Sequence, residues 1–340
     1  MKSKLLSLFA VAALALTGTV SAASAGTLDQ VKAKGFLQCG VETGLPGFGI
    51  PDQNGNWTGL DVDYCRAVAS AIFGDPTKVK FTPLDPTQRF PALQSGEIDL
   101  LVRNTTWTMS RDTQLGFMFA GVNYYDGQGF MVKKELNVAH VKDLDGASIC
   151  VAAGTDTEFN LADYFKQHNL KYNPVVFQKK DDVVAAYDSG RCDAFTTDAS
   201  GLYAYRLQLK NPDDNIILPE VISKEPLGPL VRQDDVQWFN IVKWTHYALL
   251  NAEELGVTKE NVDDMLKSAN PAIQRLLGVT GDFGKSMGLD AKWAYNIIKN
   301  VGNYGEIFEK DVGKDSPLKI DRGLNNLWNN GGIQYGMPIV

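Results

Sequence analysis

Apolar and polar residues follow one another along the chain in two rhythms. Short, mainly apolar runs predict strands at residues 36–41, 79–84 and 98–103. Between these runs, residues 61–73 and 88–94 repeat apolar positions every three or four residues, which is the period of a helix packed on one side. The first part of the chain therefore predicts a βαβαβ unit with a largely parallel sheet.

The same order of elements returns further along the chain. Strands are predicted at residues 148–153, 174–177 and 193–197, and helices at 159–167 and 181–188. Two successive rounds of alternating strands and helices predict an α/β protein with two lobes, each built on a largely parallel sheet.

Two extended segments connect the predicted lobes. Residues 124–132 lead from the first unit to the second, and residues 225–230 return. A long helix predicted at 235–255 follows the return, and we assign it to the first lobe. Two extended crossings between lobes predict a hinge. The expected division is lobe 1 at 26–126 plus 227–340, with a C-terminal helical extension, and lobe 2 at 127–226.

One phrase occurs twice in the sequence. Residues 92–99 read Ala-Leu-Gln-Ser-Gly-Glu-Ile-Asp, and residues 186–193 read Ala-Tyr-Asp-Ser-Gly-Arg-Cys-Asp, with Ala, Ser, Gly and Asp in register. Each copy predicts the last turn of a helix, a glycine with positive φ that ends it, and a strand that begins at the aspartate.

The residues that follow the two copies differ in charge. The first strand is followed by hydroxyls and guanidinium groups at residues 103–111, and the second by a carboxylate at Asp198. Ligands of open α/β sheets lie beyond the carboxyl ends of strands. The repeat therefore predicts a cleft with a cation on one wall and an anion on the other, which suits a zwitterion.

The first 25 residues read as an export signal. Lys2 and Lys4 precede an apolar run at residues 5–16, and residues 23–25 offer the small side chains of a cleavage site after Ala25. The run is shorter than the ~20 residues that span a bilayer. We expect a cleaved, freely diffusing exported protein without a direct membrane anchor.

The charge balance excludes some partners. The chain has 33 Lys and Arg residues against 40 Asp and Glu residues, a formal net charge of −7, which becomes −9 when Lys2 and Lys4 leave with the signal. An acidic chain without a basic cluster is poorly suited to nucleic acid or to anionic membranes. No nucleic-acid partner is therefore expected.

The four cysteines favour disulfides, because the chain is predicted to be exported and the number is even. Cys39 lies in the first predicted strand and Cys65 on the next helix, while Cys150 lies in a strand of the second unit and Cys192 in the repeated phrase that leads into another strand. Pairing Cys39 with Cys65 and Cys150 with Cys192 places one bridge in each half. Four buried free thiols are the alternative.

Other motifs indicate no metal or cofactor. Residues 44–49 are glycine-rich but match neither common phosphate-binding pattern, so they predict a shaped turn. His140, His168 and His246 lack the spacing of metal ligands, and no CxxC motif occurs. Neither GxSxG nor HExxH is present. No metal site and no cofactor are expected.

Several segments resemble a known family. The doubled phrase, residues 130–132 and residues 99–111 resemble the periplasmic substrate-binding proteins of ABC transporters for polar amino acids. Asn-Thr-Thr-Trp-Thr at 104–108, with residues 304–308 and 322–324, is similar to the branch that includes the general L-amino-acid permeases and the glutamate/glutamine/aspartate/asparagine system. The resemblance covers nearly all of the mature chain.

The resemblance carries expectations about fold and function. It implies the bilobal periplasmic-binding-protein fold of type II, in which two hinge strands join two βα lobes. It also implies a periplasmic protein that captures free L-amino acids in the interlobe cleft and delivers them to the membrane permease subunits of an ABC transporter.

The resemblance also implies the ligand contacts. Arg111 matches the arginine that binds the α-carboxylate, for which a bidentate guanidinium is the natural partner. Asp198 matches the acid that takes the α-ammonium. The remaining residues are strand-end contacts, backbone donors at a helix start and contacts to the ligand side chain. They are Thr106, Asn104, Thr155, Asp156, Glu42, Phe48 and Trp107.

Two of the seven residues in that last group, Asp156 and Glu42, are acidic. Asp156 stands where many relatives have a neutral hydroxyl, and we expect its backbone N–H to serve the ligand while its side chain points away. Glu42 lies near the expected side-chain pocket, where it would favour cationic ligands or be neutralised by Arg89 or Arg103.

Simpler roles stay open for some of these residues. Arg111 taken alone would be a solvated surface charge, and Asp198 would be the N-cap of a helix that begins at Ala199. Phe48 and Trp107 are ordinary core candidates.

Two other functions use the same fold. Secreted dehydratases that act on cyclohexadienyl amino acids would need a general acid or base at the side-chain end of the cleft, and Glu42 is the candidate. A sensory module would present its ligand to a signalling partner. Such modules are usually tethered to a membrane, and no apolar segment of spanning length follows the signal.

Overall fold

A computed structural model provides the structure of the protein and describes residues 26–340. The predicted export signal lies outside the described residues. The strands are β1 (Leu37–Val41), β2 (Ile50–Pro51), β3 (Trp57–Thr58), β4 (Val79–Pro83), β5 (Leu100–Leu101), β6 (Phe117–Phe119), β7 (Tyr124–Asp126), β8 (Gln128–Lys133), β9 (Ser148–Ala152), β10 (Asn173–Phe177), β11 (Ala194–Asp198), β12 (Asn215–Ile217), β13 (Glu225–Leu227) and β14 (Leu230–Arg232).

The α-helices alternate with these strands in the first two thirds of the chain and dominate the last third. They are α1 (Thr27–Lys34), α2 (Leu60–Phe73), α3 (Arg89–Ser95), α4 (Met109–Thr113), α5 (Asp156–Gln167), α6 (Lys180–Asp188), α7 (Ala199–Arg206), α8 (Val236–Glu254), α9 (Val262–Met265), α10 (Pro271–Leu276), α11 (Trp293–Val301) and α12 (Tyr304–Asp311). Among residues 26–340, no helix is long and apolar enough to cross a membrane.

Two five-stranded sheets share one topology. Their strand orders are β4-β1-β5-β14-β6 and β10-β9-β11-β8-β12. In each sheet the first three strands are parallel, and the fourth runs antiparallel to both of its neighbours. The prediction of largely parallel sheets was therefore incomplete, because β14 and β8, which adjoin the hinge segments, enter the sheets in the opposite direction.

The doubled phrase performs the same structural task in both sheets. Gly96 and Gly190 end their helices with φ of 78° and 80°, values that glycine adopts without steric cost. Asp99 accepts a hydrogen bond from the backbone N–H of Gln38 at 2.8 Å, and Asp193 accepts one from Ser148 at 2.8 Å. Each aspartate thus fixes the start of its own strand against the neighbouring parallel strand.

The two sheets are joined by a narrow connection. β7 and β13 pair antiparallel as a separate two-stranded sheet between them. On the other edge of β7, the side-chain amide of Asn325 holds the backbone of Tyr125, accepting from its N–H at 2.6 Å and donating to its carbonyl at 3.0 Å. The C-terminal segment therefore contacts the connecting strand, a placement that the sequence left open.

The helices after the return crossing pack mainly on the first sheet's side. Helix α2 lies against α8, α11 and α12. The indole N–H of Trp238, on α8, donates to the carbonyl of Asp99 at 2.8 Å in the buried core. The assignment of residues 26–126 plus 227–340 to one lobe and 127–226 to the other stays a prediction.

Both expected cysteine pairs are present. Cys39 is bonded to Cys65, with 6.3 Å between their Cα atoms, and Cys150 is bonded to Cys192, with 5.6 Å between Cα atoms. The first bridge ties β1 to α2, and the second ties β9 to the segment before β11. The alternative of free thiols does not apply.

Candidate ligand-binding cleft

The carboxyl ends of the parallel strands in the two sheets supply the polar residues of one cleft. Glu42 follows β1 and Asn104 follows β5, while Thr155 follows β9 and Asp198 ends β11. The carboxyl ends of parallel strands lie at one edge of a sheet, so the loops that follow them share that edge. The side chains at these strand ends therefore line the space between the lobes. Several contacts cross from one lobe to the other, and two of them involve the residues expected to bind the ligand's charged groups.

The first crossing contact joins Asn104 and Asp198. The Asn104 side chain donates to Asp198 Oδ2 at 3.1 Å. Asn104 has φ of 29°, a left-handed conformation that asparagine tolerates better than most residues, and its backbone N–H is fixed by Asp61 Oδ2 at 2.9 Å. The local backbone is thus shaped to aim this amide across the cleft.

Asp198 is buried at the end of its strand. Its backbone stands at the N-cap position of α7, but its side chain makes no capping hydrogen bond. Burial, together with the negative charges of Asp126 and Asp156, raises the pKa of Asp198 to about 7. A carboxylate held in this way gains strongly from a cationic partner, so the alternative of a simple N-cap does not describe its side chain.

The second crossing contact joins Arg111 and Asp156. Arg111 donates to the carbonyl of Thr106 at 2.7 Å and to Asp156 Oδ1 at 3.1 Å. It is 6% exposed, so it is not a solvated surface charge. Burial opposes ionisation of Asp156, but the Arg111 cation and a hydrogen bond with Glu225 lower its pKa to about 2.

The expected orientation of Asp156 is wrong. Its side chain turns toward Arg111, not away, because the buried guanidinium attracts the carboxylate to within 3.1 Å. Asp156 is the first residue of α5, whose N-cap is Thr155. The Thr155 hydroxyl accepts from the backbone N–H of Glu158 at 3.3 Å, so its side chain caps the helix.

The hinge supplies a residue that sequence reasoning missed. Glu225, on β13, is fully buried and accepts hydrogen bonds from the Thr106 hydroxyl at 2.6 Å and the Asn160 amide at 2.8 Å. Burial and a hydrogen bond with Asp156 raise the pKa of Glu225 to about 9, so it is protonated at neutral pH. The Thr106 hydroxyl is therefore engaged by the hinge.

Glu42 is neutralised by Arg103, one of the two partners expected. Arg103 Nη2 forms a buried ion pair with Glu42 Oε2. Arg103 Nε also donates to the Leu84 carbonyl at 2.7 Å. The other oxygen, Glu42 Oε1, is buried and has no hydrogen-bond partner among the described residues.

The structure places the two aromatic candidates differently. Phe48 is 1% exposed and packs edge to face on Tyr124 in the core, with ring centroids 5.3 Å apart. Trp107 is 39% exposed and stacks on Phe119 at 5.4 Å. Within residues 26–340, no group of acidic, histidine or cysteine side chains is arranged to hold a metal ion.

Two lobes of matching topology, a two-stranded connection and a polar cleft at the strand ends define the class of bilobal proteins with an interlobe binding cleft. The chain belongs to the bacterial extracellular solute-binding proteins, family 3, whose family model matches residues 37–309. Its fold is that of the type II periplasmic binding proteins.

Similar proteins extend this result. The chain is 65% identical, over all of both chains, to the general L-amino acid-binding periplasmic protein AapJ of Rhizobium johnstonii. It is 54% identical to the glutamate/glutamine/aspartate/asparagine-binding protein BztA of Rhodobacter capsulatus, with 93% of this chain and 94% of BztA covered.

A solved structure also matches. A periplasmic binding protein of an ABC transporter from Brucella ovis, with glutathione bound, superposes with a TM-score of 0.91 at 64% identity, covering 93% of this chain and all of that one.

Proposed function

We propose that the protein is a periplasmic binding component of an ABC transporter, that it holds a free L-amino acid between its lobes, and that it delivers this ligand to membrane permease subunits. The observation that carries the proposal is the pair of crossing contacts. In one, the buried guanidinium of Arg111 contacts Asp156, and in the other the buried carboxylate of Asp198 contacts Asn104. The relatives named above support the ligand class and the periplasmic location.

The ligand replaces these internal contacts. Its α-ammonium takes the place of the Asn104 amide at Asp198, and its α-carboxylate takes the place of Asp156 at Arg111. Each charge-assisted hydrogen bond contributes roughly 1.5 to 3 kcal/mol. Several such bonds account for micromolar affinity or better, since 1 μM corresponds to about −8.2 kcal/mol. The ligand favours closure because it contacts both lobes only when they meet.

The proposal assigns no catalytic step. A dehydratase would need a free acid or base at the side-chain end of the cleft, and Glu42 is held there in a buried ion pair with Arg103. The acid or base expected from the sequence is therefore engaged by the protein itself, and the arrangement supports binding.

A thermal-shift screen tests the proposal. Purified mature protein, unfolded and refolded to remove carried-over ligand, is heated with each L-amino acid, the D-enantiomers and glutathione. At a ligand concentration about 100 times Kd, the midpoint should rise by about 5 °C or more. Stabilisation by L-forms and not D-forms is expected. The absence of stabilisation by any L-amino acid would contradict the proposal.

A further inference from the structure

Three buried polar side chains on the cleft walls have unused hydrogen-bonding capacity. Glu42 Oε1 and Arg89 Nε have no partner among the described residues. Lys180 makes a hydrogen bond to the Thr197 hydroxyl at 2.8 Å and forms no ion pair in the described part of the chain. These three residues are 0%, 2% and 4% exposed. Buried polar groups are nearly always paired, so these groups point to a ligand.

The three side chains share one neighbourhood. Arg89 begins α3 and Glu42 follows β1, whereas Lys180 begins α6 beside the second sheet. Burial lowers the pKa of Lys180 to about 8, and the Glu42 charge is the strongest of the nearby charges that oppose this change. The Glu42 charge also acts on Arg89. Contacts place the groups in one region. Arg103 pairs with Glu42, and the Arg103 carbonyl accepts from the Thr105 hydroxyl, to which Arg89 also donates. Lys180 donates to Thr197, the neighbour of Asp198, which Asn104 contacts across the cleft.

The existing partners limit what this place can accept. Arg103 occupies one oxygen of Glu42, so only Oε1 is free to accept a hydrogen bond. Within residues 26–340, Arg89 makes one long hydrogen bond, from Nη1 to the Thr105 hydroxyl at 3.3 Å, and its guanidinium lies over the Phe90 ring. The unused capacity is therefore one acceptor, Glu42 Oε1, together with donors on Lys180 and Arg89.

A carboxamide matches this set. Its oxygen accepts two hydrogen bonds and its NH₂ group donates. The oxygen would take the Lys180 and Arg89 donors, and the NH₂ group would donate to Glu42 Oε1. A carboxylate would satisfy the two cations but would place an anion against Glu42. An aliphatic side chain would leave all three groups unpaired, which is costly in a closed cleft.

We propose that Glu42, Arg89 and Lys180 bind the side-chain carboxamide of the ligand, and that they make L-glutamine or L-asparagine preferred over the matching acids. This inference rests on the proposed function, because it assumes that an amino acid occupies the cleft. Lys180 is the specificity residue that closure adds, since it comes from the opposite lobe to Glu42.

Calorimetric titration of ligand-stripped protein tests the inference. L-glutamine, L-glutamate and L-methionine are compared, because they have similar length but end in an amide, an acid and a thioether. Wild-type protein should bind L-glutamine at least about tenfold more tightly than either of the others, since unpaired buried groups discriminate strongly. Binding of L-glutamate or L-methionine as tight as that of L-glutamine would overturn the inference while leaving the proposed function intact.

Three variants assign the effect to residues. Lys180→Met should weaken the binding of L-glutamine at least about tenfold and the binding of L-methionine less than about threefold. Glu42→Gln should bring the affinities for L-glutamine and L-glutamate to within about threefold of each other, because the negative charge that repels L-glutamate is gone. Lys179→Met, at the exposed neighbouring position, should leave the affinity for both ligands unchanged.

Circular dichroism establishes that each variant is folded before titration. If Glu42→Gln does not fold, Lys180→Met decides the matter alone. Unchanged discrimination in Lys180→Met would overturn the inference. Binding of no amino acid by wild-type protein would instead contradict the proposed function, so the two failures are distinguishable.

Discussion

The guanidinium of Arg111 is occupied by a carboxylate of the protein itself. Asp156 lies 3.1 Å from Arg111 Nη2, where the proposed function places the ligand's α-carboxylate. Ligand and Asp156 therefore compete for one cation. Because a charge-assisted hydrogen bond contributes roughly 1.5 to 3 kcal/mol, this competition lowers ligand affinity by about tenfold or more.

Removing the internal carboxylate should strengthen binding. We expect Asp156→Ser to bind amino acids about tenfold more tightly than wild-type protein, because Arg111 is then free and no anion repels the ligand. The measurement is calorimetric titration with the tightest amino-acid ligand. Asp163→Asn is the matched control, since Asp163 is exposed on the same helix. Weaker binding in Asp156→Ser would show that Asp156 assists the ligand.

Protonation of Asp198 should be linked to binding. Its pKa of about 7 in the ligand-free form means that most molecules carry a proton there at pH 6. An ammonium placed beside the carboxylate lowers this pKa, so binding releases a proton at about pH 6 and less as the pH rises toward 8. Lys180 contributes nothing at pH 6, because it is protonated before and after binding.

Calorimetry in buffers with different ionisation enthalpies measures this linkage. The apparent binding enthalpy at about pH 6 should vary between buffers with the sign of proton release. Asp156 gains a proton-binding capacity when the ligand displaces it from Arg111, so the sign is measured in Asp156→Ser. Proton uptake by that variant at about pH 6 would mean that Asp198 does not meet a cation.

Some site residues are visible in the sequence and others are not. Asp198 and the segment around Asn104 follow predicted strands, so their meeting at one edge follows from topology. Glu225 lies in the crossing segment, and its burial depends on contacts from both lobes. Lys180 follows another lysine at a helix start, which reads as a solvated charge until tertiary packing buries it.

At the scale of elements, the phrase repeated at residues 92–99 and 186–193 predicts the local backbone geometry of both copies correctly. Gly96 and Gly190 both adopt the positive φ that the phrase requires, and both aspartates bond to the adjacent strand. The strand predicted at 98–103 is shorter than expected. It is limited to Leu100–Leu101, because Arg103 and Asn104 leave the sheet to enter the cleft. Local strand propensity does not show that a strand ends early because the residues after it line a binding cleft.

Substitution of the second repeat glycine should destabilise the fold. Gly190→Ala keeps φ near 80°, where an L-residue costs about 1 kcal/mol, and the nearest atom to an added Cβ is the flexible Lys133 Nζ at 3.6 Å. Gly44→Ala is the control, since it has no positive φ and nothing within 4 Å of an added Cβ. Chemical denaturation measures both variants. Equal stability of the two would contradict the assigned conformational role.

At the scale of the whole molecule, the two sheets meet through few contacts. β7 and β13 form the connection, and Asn325 supports its outer edge from the C-terminal segment. Contacts between the lobes include Asn104 with Asp198, Arg111 with Asp156, Thr106 with Glu225, and a hydrogen bond from the Gln208 amide to the Gly44 carbonyl at 3.2 Å. A ligand that replaces these polar contacts shifts the balance between open and closed forms.

The packing of the C-terminal segment could not be predicted from the sequence. Residues 324–340 contain no charged residue and no clear period, so nothing local selects a packing partner. Their placement depends on side-chain amides such as Asn325 and Gln334, which bond to backbone atoms of residues 122–125. Such long-range contacts become visible only once the fold is formed.

The central claim is that one amino acid is held by Arg111 from one lobe and Asp198 from the other. Calorimetric titration of ligand-stripped wild-type protein, Arg111→Met and Asp198→Asn with the tightest L-amino acid tests it most directly. We predict one ligand per chain, and a loss of roughly 100-fold in affinity for each variant, because each leaves a buried ligand charge unpaired. Wild-type affinity in either folded variant would contradict the claim.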